Sequence, residues 1–306
     1  MKKLSILLIA LCTFMLCIMY NQEISAFVVK HISKDKKIVS TLENNIYAGA
    51  TSYDYVKLTN DFSPKSKKDI INIYYTVLNS GMESFTFYCP TDYKDCIDDV
   101  DYLSNQQLLL SNINNFVPVY NSFQNIETEF DSTGKVTISI KHNYTETEIN
   151  ELNKVIENVI EENIQDNMKT EDKIKIIHDY IINNTKYDIN RSDNKVNNYH
   201  SDSAYGALIE HYAICGGYAD SMKLFLDRLD IPNYKISSEN HIWNLVNVDN
   251  NWYHLDLTWD DPVTSNGTDV LEYDYFLITT SELEELESDQ HIFDTKIYKE
   301  AQKEAS

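Results

Sequence analysis

Two β-rich runs separated by only two residues constrain the fold of this chain more than any other feature. The runs are HIWNLVNV and NWYHLDLTW, and Asp249 and Asn250 lie between them. Asp and Asn tolerate the left-handed backbone that a two-residue hairpin turn requires. The sequence therefore predicts an antiparallel hairpin in which Val248 pairs with Asn251.

This register brings a histidine and an aspartate together. Counting outward from the turn, His241 faces Thr258 and Trp243 faces Asp256, so Asp256 is a diagonal neighbour of His241 on one face. Diagonal neighbours lie roughly 7–8 Å apart at the backbone, which is within side-chain reach. A three-residue turn would place the two side chains on opposite faces. A two-residue turn thus predicts a hydrogen bond between His241 and Asp256.

Cys215 precedes this hairpin at the start of a predicted helix. In AICGGYADSMKLFLDRLD, apolar residues recur at helical spacing, and Pro232 follows the end of the pattern. At a helix N-terminus, exposed N–H groups and the helix dipole favour a thiolate. We interpret Gly216 and Gly217 as leaving room for a substrate backbone. A thiol, an imidazole and a carboxylate in this order favour a Cys–His–Asp triad, although each residue alone is also typical of a structural position.

The segments AYGALIEHYAICGGYADSMKLFL, HIWNLVNV and NWYHLDLTWDDP together resemble the core of the transglutaminase-like superfamily in its secreted bacterial form. The resemblance extends over about residues 170–291. It implies an α+β, papain-like fold in which a helix carrying Cys215 packs on an antiparallel sheet carrying His241 and Asp256. It also implies that Cys215 is the nucleophile, that His241 is the general base and acid, and that Asp256 orients His241. For the oxyanion hole it implies only the backbone N–H of Cys215.

No metal or cofactor is expected at this site. His254 and Asp256 share a strand face at a spacing that could suit metal ligands, but the sequence shows no closed set of four nitrogen or sulfur ligands around them.

An excess of acidic residues argues against nucleic acid as the partner. The 306-residue chain has 26 Lys and Arg against 48 Asp and Glu, which gives a formal net charge of −22 at pH 7. Nucleic-acid binding draws its affinity from basic side chains that displace counterions from phosphates. The expected partner is instead a protein or peptide substrate, for example cell-wall peptide, and the oligomeric state is unknown.

The N-terminal segment MKKLSILLIALCTFMLCIMY predicts export. It has a basic start and an apolar run from Leu4 to Tyr20, with a cleavage position after Ala26. An uncleaved anchor is the alternative, because the run is at the short limit for spanning a bilayer. Cleavage predicts a secreted or cell-surface protein without stable membrane insertion.

Export also bears on the cysteines. It permits a disulfide between Cys89 and Cys96 in CPTDYKDC, with two free thiols as the alternative. Either way Cys215 is the odd cysteine of the mature chain, as expected for a reactive thiol.

Composition and periodicity predict a small domain ahead of the catalytic one. Helical spacing in KKDIINIYYTVLNSG and QQLLLSNINNF, a strand in ESFTFYC and a hairpin around Asp131–Gly134 indicate an α+β unit. Thr145 and Glu148 form a capping box for a long helix. The predicted organisation is a signal at 1–26, a linker at 27–50, an N-terminal α+β domain at 51–145, a bridging helix at 146–168, a transglutaminase-like catalytic domain at 169–295 and a polar tail at 296–306.

The resemblance and the three candidate residues predict an exported cysteine enzyme. Cys215 would form a thioester acyl-enzyme from an amide bond of a protein or peptide, and the second nucleophile would decide between transamidation, deamidation and peptide hydrolysis. One alternative is a non-catalytic cell-surface binding module that retains the fold. A redox thiol is a further alternative, although the chain has no CxxC motif.

Overall fold

The computed structural model describes residues 53–56, 62–193, 198–263, 270–286 and 289–302. The predicted signal at 1–26 and linker at 27–50 lie outside these residues. Among these described residues, no helix has the length and apolar character needed to cross a membrane.

The described residues form two compact units. The first comprises 53–110 and 123–141, and the second comprises 111–122 and 142–302. Residues 111–122, which we assigned to the N-terminal domain, therefore group with the second unit. The helix predicted as a bridge also belongs to the second unit.

The first unit is a small α+β structure, as its patterns predict. It contains helices α1 (Lys67–Asn79) and α2 (Cys96–Ser104) and strands β1 (Ser84–Tyr88), β2 (Phe123–Phe130) and β3 (Lys135–His142) in the order β1-β3-β2. Helix α3 (Gln107–Asn114) continues from this unit into the second. Cys89 and Cys96 form a disulfide with a Cα–Cα distance of 5.7 Å. The sequence patterns did not reveal α2, which begins at one of these cysteines.

The second unit begins with two helices. Helix α4 (Glu146–Asn163) starts with the predicted capping box, in which the Thr145 side chain accepts from the Glu148 N–H and the Glu148 side chain accepts from the Thr145 N–H. Helix α5 (Thr170–Asn184) follows. Strand β4 (Lys186–Tyr187) and the short helix α6 (Ile189–Ser192) come next, and β4 pairs in parallel with β5 (Tyr212–Ala213). Between β4 and β5, residues Gly206–Glu210 form a π-helical turn.

The centre of the second unit is one helix packed on a four-stranded antiparallel sheet. Helix α7 (Cys215–Arg228) precedes strands β6 (Asn233–Ser237), β7 (Ile242–Val248), β8 (Asn251–Leu255) and β9 (Phe276–Ile278), which pair in chain order. Met222 and Phe225 on α7 share a buried cluster with Val246 and Leu255 of the sheet, and all four side chains are fully buried. Apolar residues at helical spacing on α7 thus meet apolar residues on one face of the sheet, and this helix and this sheet form a common core. The α+β fold expected from the sequence is therefore confirmed.

Helix α8 (Thr280–Glu285) and two 3₁₀ turns, Asp289–His291 and Lys299–Gln302, complete the described chain. We expected 296–306 to be a polar tail, but Tyr298 within it is fully buried. Its ring packs against Phe116 at a centroid distance of 5.6 Å and against Tyr234 at 6.0 Å. One aromatic side chain therefore holds the start of this segment in the core, while 303–306 lie outside the described residues.

Candidate active site

The hairpin has the register that the sequence predicts. Val248 pairs with Asn251, and the pairing continues along β7 and β8 to Asn244 and Leu255. Asp249 and Asn250 have φ angles of 51° and 68°, so both turn residues adopt the left-handed conformation of a type I′ turn. The two-residue turn is thus confirmed, and the three-residue alternative is excluded.

This register places His241 directly before β7 and Asp256 directly after β8. The His241 Nε2 and Asp256 Oδ2 atoms lie 2.5 Å apart, and the side chains are only 4% and 2% exposed. A charge-assisted hydrogen bond of this length is strong in a buried site. The two residues that the sequence paired on one face are therefore in direct contact.

Cys215 is the first residue of α7, where its backbone N–H has no acceptor within the helix. Its thiol is free and half-buried, and it interacts with the His241 imidazole. Because Nε2 of His241 faces Asp256, the other ring nitrogen, Nδ1, is left for the thiol. The structure thus brings Cys215, His241 and Asp256 together in the order that a nucleophile, a base and an orienting carboxylate require.

The glycines after Cys215 have a different role from the one we expected. A Cβ atom added to Gly217 would lie 2.6 Å from the carbonyl oxygen of Ser201, and one added to Gly216 would lie 2.8 Å from that of Asp202. The Ile214 N–H donates to the same Ser201 oxygen at 2.9 Å. The space beside these glycines is therefore filled by the chain's own backbone, which fixes the start of α7.

Burial and charge oppose each other in the His241–Asp256 pair. Burial lowers the pKa of His241, but the Asp256 charge and hydrogen bond, together with Cys215, raise it to about 10. Burial likewise raises the pKa of Asp256, but the His241 charge and hydrogen bonds from both His241 and His291 hold it well below its usual range. An imidazolium and a carboxylate therefore face each other over the whole physiological pH range.

A second histidine, His291, contacts the same carboxylate. Its Nε2 lies 2.8 Å from Asp256 Oδ2, while Oδ1 accepts from the backbone N–H groups of Thr258 at 2.9 Å and Trp259 at 3.3 Å. The sequence does not single out His291, because it is a lone histidine in a polar segment with no periodicity or motif around it. Only the path of the chain after α8 brings it to Asp256.

An aromatic cluster covers the other side of His241. The Trp243 ring stacks on the imidazole at a centroid distance of 5.6 Å and an angle of 16°. Its Nε1–H donates to His254 Nδ1 at 2.9 Å, and His254 Nε2 lies 3.0 Å from the Thr280 hydroxyl. Burial, followed by the nearby His291, lowers the pKa of His254 to about 3. His254 is therefore a neutral packing residue that supports Trp243.

The distances around Asp256 fit hydrogen bonds rather than the coordination of a metal ion. Ligand atoms of His241, Asp256 and His291 all lie within 4.8 Å of one another. Zinc bonds of about 2.0–2.1 Å in a tetrahedral site separate neighbouring ligand atoms by roughly 3.3 Å. The nitrogen–oxygen distances of 2.5 and 2.8 Å are shorter than that and match hydrogen bonds. His254 does not join this group, since both of its nitrogens are hydrogen-bonded elsewhere.

Comparison with solved structures finds distant matches. One is described as a TGase; the match has 17% identity and a TM-score of 0.34, and covers 45% of this chain and 44% of that one. Another is a candidate cysteine protease from Cytophaga hutchinsonii; the match has 16% identity and a TM-score of 0.28, and covers 48% and 65%. The matched part is less than two thirds of either structure. No protein-family model and no curated protein matches the chain.

The pH dependence of Cys215 alkylation tests the contact with His241. A protonated His241 favours the thiolate beside it, so iodoacetamide should label Cys215 rapidly at about pH 6. The raised pKa keeps His241 protonated up to about pH 10, so this effect should be present over the whole physiological range. Replacing His241 with alanine should abolish the labelling at low pH. Peptide mass spectrometry measures it, and labelling of the native protein that begins only near about pH 8.5, where a free thiol ionises, would contradict the prediction.

Proposed function

We propose that this protein is an exported cysteine enzyme that transfers acyl groups from amide bonds of proteins or peptides through a thioester on Cys215. The observation that carries the proposal is the arrangement of three side chains: a free thiol at a helix N-terminus, an imidazole that contacts it, and a buried carboxylate 2.5 Å from the imidazole. A non-catalytic binding module has no need to hold these three groups in contact.

The proposed acylation uses each group once. The Cys215 thiolate attacks the amide carbonyl carbon, and the Cys215 backbone N–H donates to the oxyanion that forms. The His241 imidazolium then gives its Nδ1 proton to the departing amine as the carbon–nitrogen bond breaks. The products are an amine and a thioester, and His241 is neutral.

The second half of the proposed reaction runs in the opposite direction. Neutral His241 takes a proton from an incoming amine or water molecule, which attacks the thioester and releases Cys215. An amine produces a new amide bond, and water produces an acid. Asp256 holds the imidazole in the orientation that both steps need, because its bond to Nε2 keeps Nδ1 directed towards the thiol.

Export is part of the proposal. The disulfide between Cys89 and Cys96 supports it, because such bonds persist in oxidising compartments and are rare in the bacterial cytosol. We propose a substrate at the cell surface, either protein or wall peptide, without stable membrane insertion after cleavage of the signal.

A trapped acyl-enzyme tests the proposal directly. The full chain is mixed with glutamine-containing peptides and with wall-type peptides, with and without a primary amine, and then acid-quenched for intact-mass and peptide mass spectrometry. We expect a mass increase on Cys215 that disappears with added hydroxylamine, and either an amine adduct or a released acid as product. The Cys215→Ala variant is the control and should form neither. The absence of any adduct across the panel, with Cys215 alkylating like a free thiol, would instead favour a binding module.

A further inference from the structure

His291 shares one oxygen of Asp256 with His241. Its side chain is 2% exposed, and its Nε2 lies 2.8 Å from Oδ2. Its other nitrogen, Nδ1, is buried and has no hydrogen-bond partner among the described residues. Because Asp256 is a carboxylate and can only accept, Nε2 of His291 is the donor of this hydrogen bond.

The surroundings of His291 are mostly aromatic. Its ring stacks with Tyr275 at 5.1 Å and contacts the edges or faces of Trp243 and Trp259 at 4.9 and 5.3 Å. Tyr275 is neutral, because burial and then the Asp256 charge raise its pKa. The remaining titratable groups that face His291 are Asp256, His241 and His254. Glu284 and Asp289 line a surface pocket together with His291. The charged pair of Asp256 and His241 is thus the polar feature that His291 contacts directly.

We propose that His291 is a positioning residue that holds the Asp256 carboxylate in place and weakens its hold on the His241 proton. The inference deepens the proposed function and rests on it, since it assigns a third partner to the same Cys–His–Asp site. Both oxygens of the carboxylate are fixed: two backbone N–H groups hold Oδ1, and two histidine N–H groups share Oδ2. A carboxylate with four donors has neither an alternative orientation nor a free lone pair facing His241.

The sharing of Oδ2 has a definite chemical consequence. Each hydrogen bond to a carboxylate disperses its charge, so the bond from His291 makes Asp256 a weaker acceptor for His241. Without that bond, His241 would hold its proton more tightly. It would then give the proton to the leaving amine less readily, and it would need a higher pH to act as a base in the second half of the reaction.

Two substitutions separate this effect from packing. Phenylalanine at position 291 keeps a planar ring among aromatic neighbours and removes only the donated bond, because Nδ1 has no partner to lose. Glutamine keeps an N–H donor that can reach Asp256. The matched control is His254→Phe, which alters the same aromatic cluster but removes bonds to Trp243 and Thr280 rather than to Asp256. Thermal unfolding of all three variants tests whether each of them is folded.

The first measurement does not depend on catalysis. Iodoacetate is an anion, so it alkylates Cys215 faster while His241 is protonated, and its rate should fall as the pH rises through about 10 in the native chain. In His291→Phe we expect this fall to shift upward by about half a pH unit, which is less than the roughly one to two units that a charge-assisted bond is worth, because the lost bond acts on His241 only through Asp256. In His291→Gln and His254→Phe it should stay within about 0.2 units of the native value. An unshifted fall in His291→Phe, or an equal shift in His254→Phe, would overturn the inference.

The second measurement follows the acyl-enzyme. Cys215 is acylated with an activated ester, and hydrolysis of the thioester is followed against pH, where the rate rises as His241 loses its proton. His291→Phe should move this rise to higher pH, and His291→Gln should restore the native profile. If peptides form no thioester but the iodoacetate profile shifts as expected, the proposed function fails and the role of His291 stands. If peptides acylate Cys215 and neither profile shifts, the proposed function stands and the inference about His291 fails.

Discussion

Replacing Asp256 with asparagine is expected to lower kcat/KM by about four orders of magnitude while the protein remains folded. The backbone N–H groups of Thr258 and Trp259 require an acceptor at Oδ1, so the amide NH₂ of asparagine would replace Oδ2 and face two histidine N–H groups. His241 would relieve this conflict by moving its proton to Nδ1. The imidazole would then have no lone pair for the Cys215 proton, and the carboxylate that stabilises the imidazolium would be gone.

The control for this prediction is the same substitution at Asp260. Asp260 is also fully buried and also bonds a histidine, since its Oδ2 lies 3.1 Å from His178 Nε2, but it does not contact His241. We expect Asp260→Asn to change kcat/KM by less than about tenfold. Steady-state kinetics of both variants on the best substrate make the comparison. An Asp256→Asn variant with native kcat/KM would show that Asp256 does not orient a catalytic imidazole.

The largest expected effect on stability comes from a buried ion pair behind the site. Asp220 on α7 and Lys235 on β6 are 3% and 2% exposed, and Lys235 Nζ lies 2.5 Å from Asp220 Oδ1. The Tyr144 hydroxyl donates to Asp220 Oδ2 at 2.6 Å and accepts from the Ala204 N–H at 2.9 Å. Asp220 therefore connects the helix that carries Cys215 to the sheet and to the segment before β5. Asp220→Ala leaves a buried ammonium without its carboxylate and should lower the free energy of unfolding by about 3–5 kcal/mol.

A double-mutant cycle tests the explanation. Lys235→Met in the Asp220→Ala background removes the unpaired charge and should recover most of the lost stability, measured by urea denaturation. The exposed pair of Asp54 and Lys68 provides a contrast. Its atoms lie 2.8 Å apart, but both side chains are 65% exposed, so removing Asp54 should have no measurable effect. If Asp220→Ala and Asp54→Ala have equal effects, burial is not what makes the Asp220–Lys235 pair important.

The parts of the site that the sequence could predict depend on residues close together in the chain. The turn at Asp249 and Asn250 decides the hairpin register, and a two-residue turn places His241 and Asp256 on a common face, whereas a slip of one residue would place them on opposite faces. The helix that starts at Cys215 follows from a 3.6-residue apolar pattern and a downstream proline. These signals are local, so the amino-acid order specifies them before any tertiary contact forms.

The remaining features were decided by contacts between distant residues. His291 reaches Asp256 across 35 positions, and the segment from Ser201 occupies the space beside Gly217 that we had interpreted as room for substrate. Tyr298 is buried although the segment around it reads as a polar tail. No periodicity marks such residues, because each depends on one side chain or one carbonyl that fills a space made by other elements. The sequence by itself therefore determined the order of thiol, imidazole and carboxylate and the register that joins the last two. Only the tertiary structure decided which groups surround Asp256, since those groups come from three separate parts of the chain.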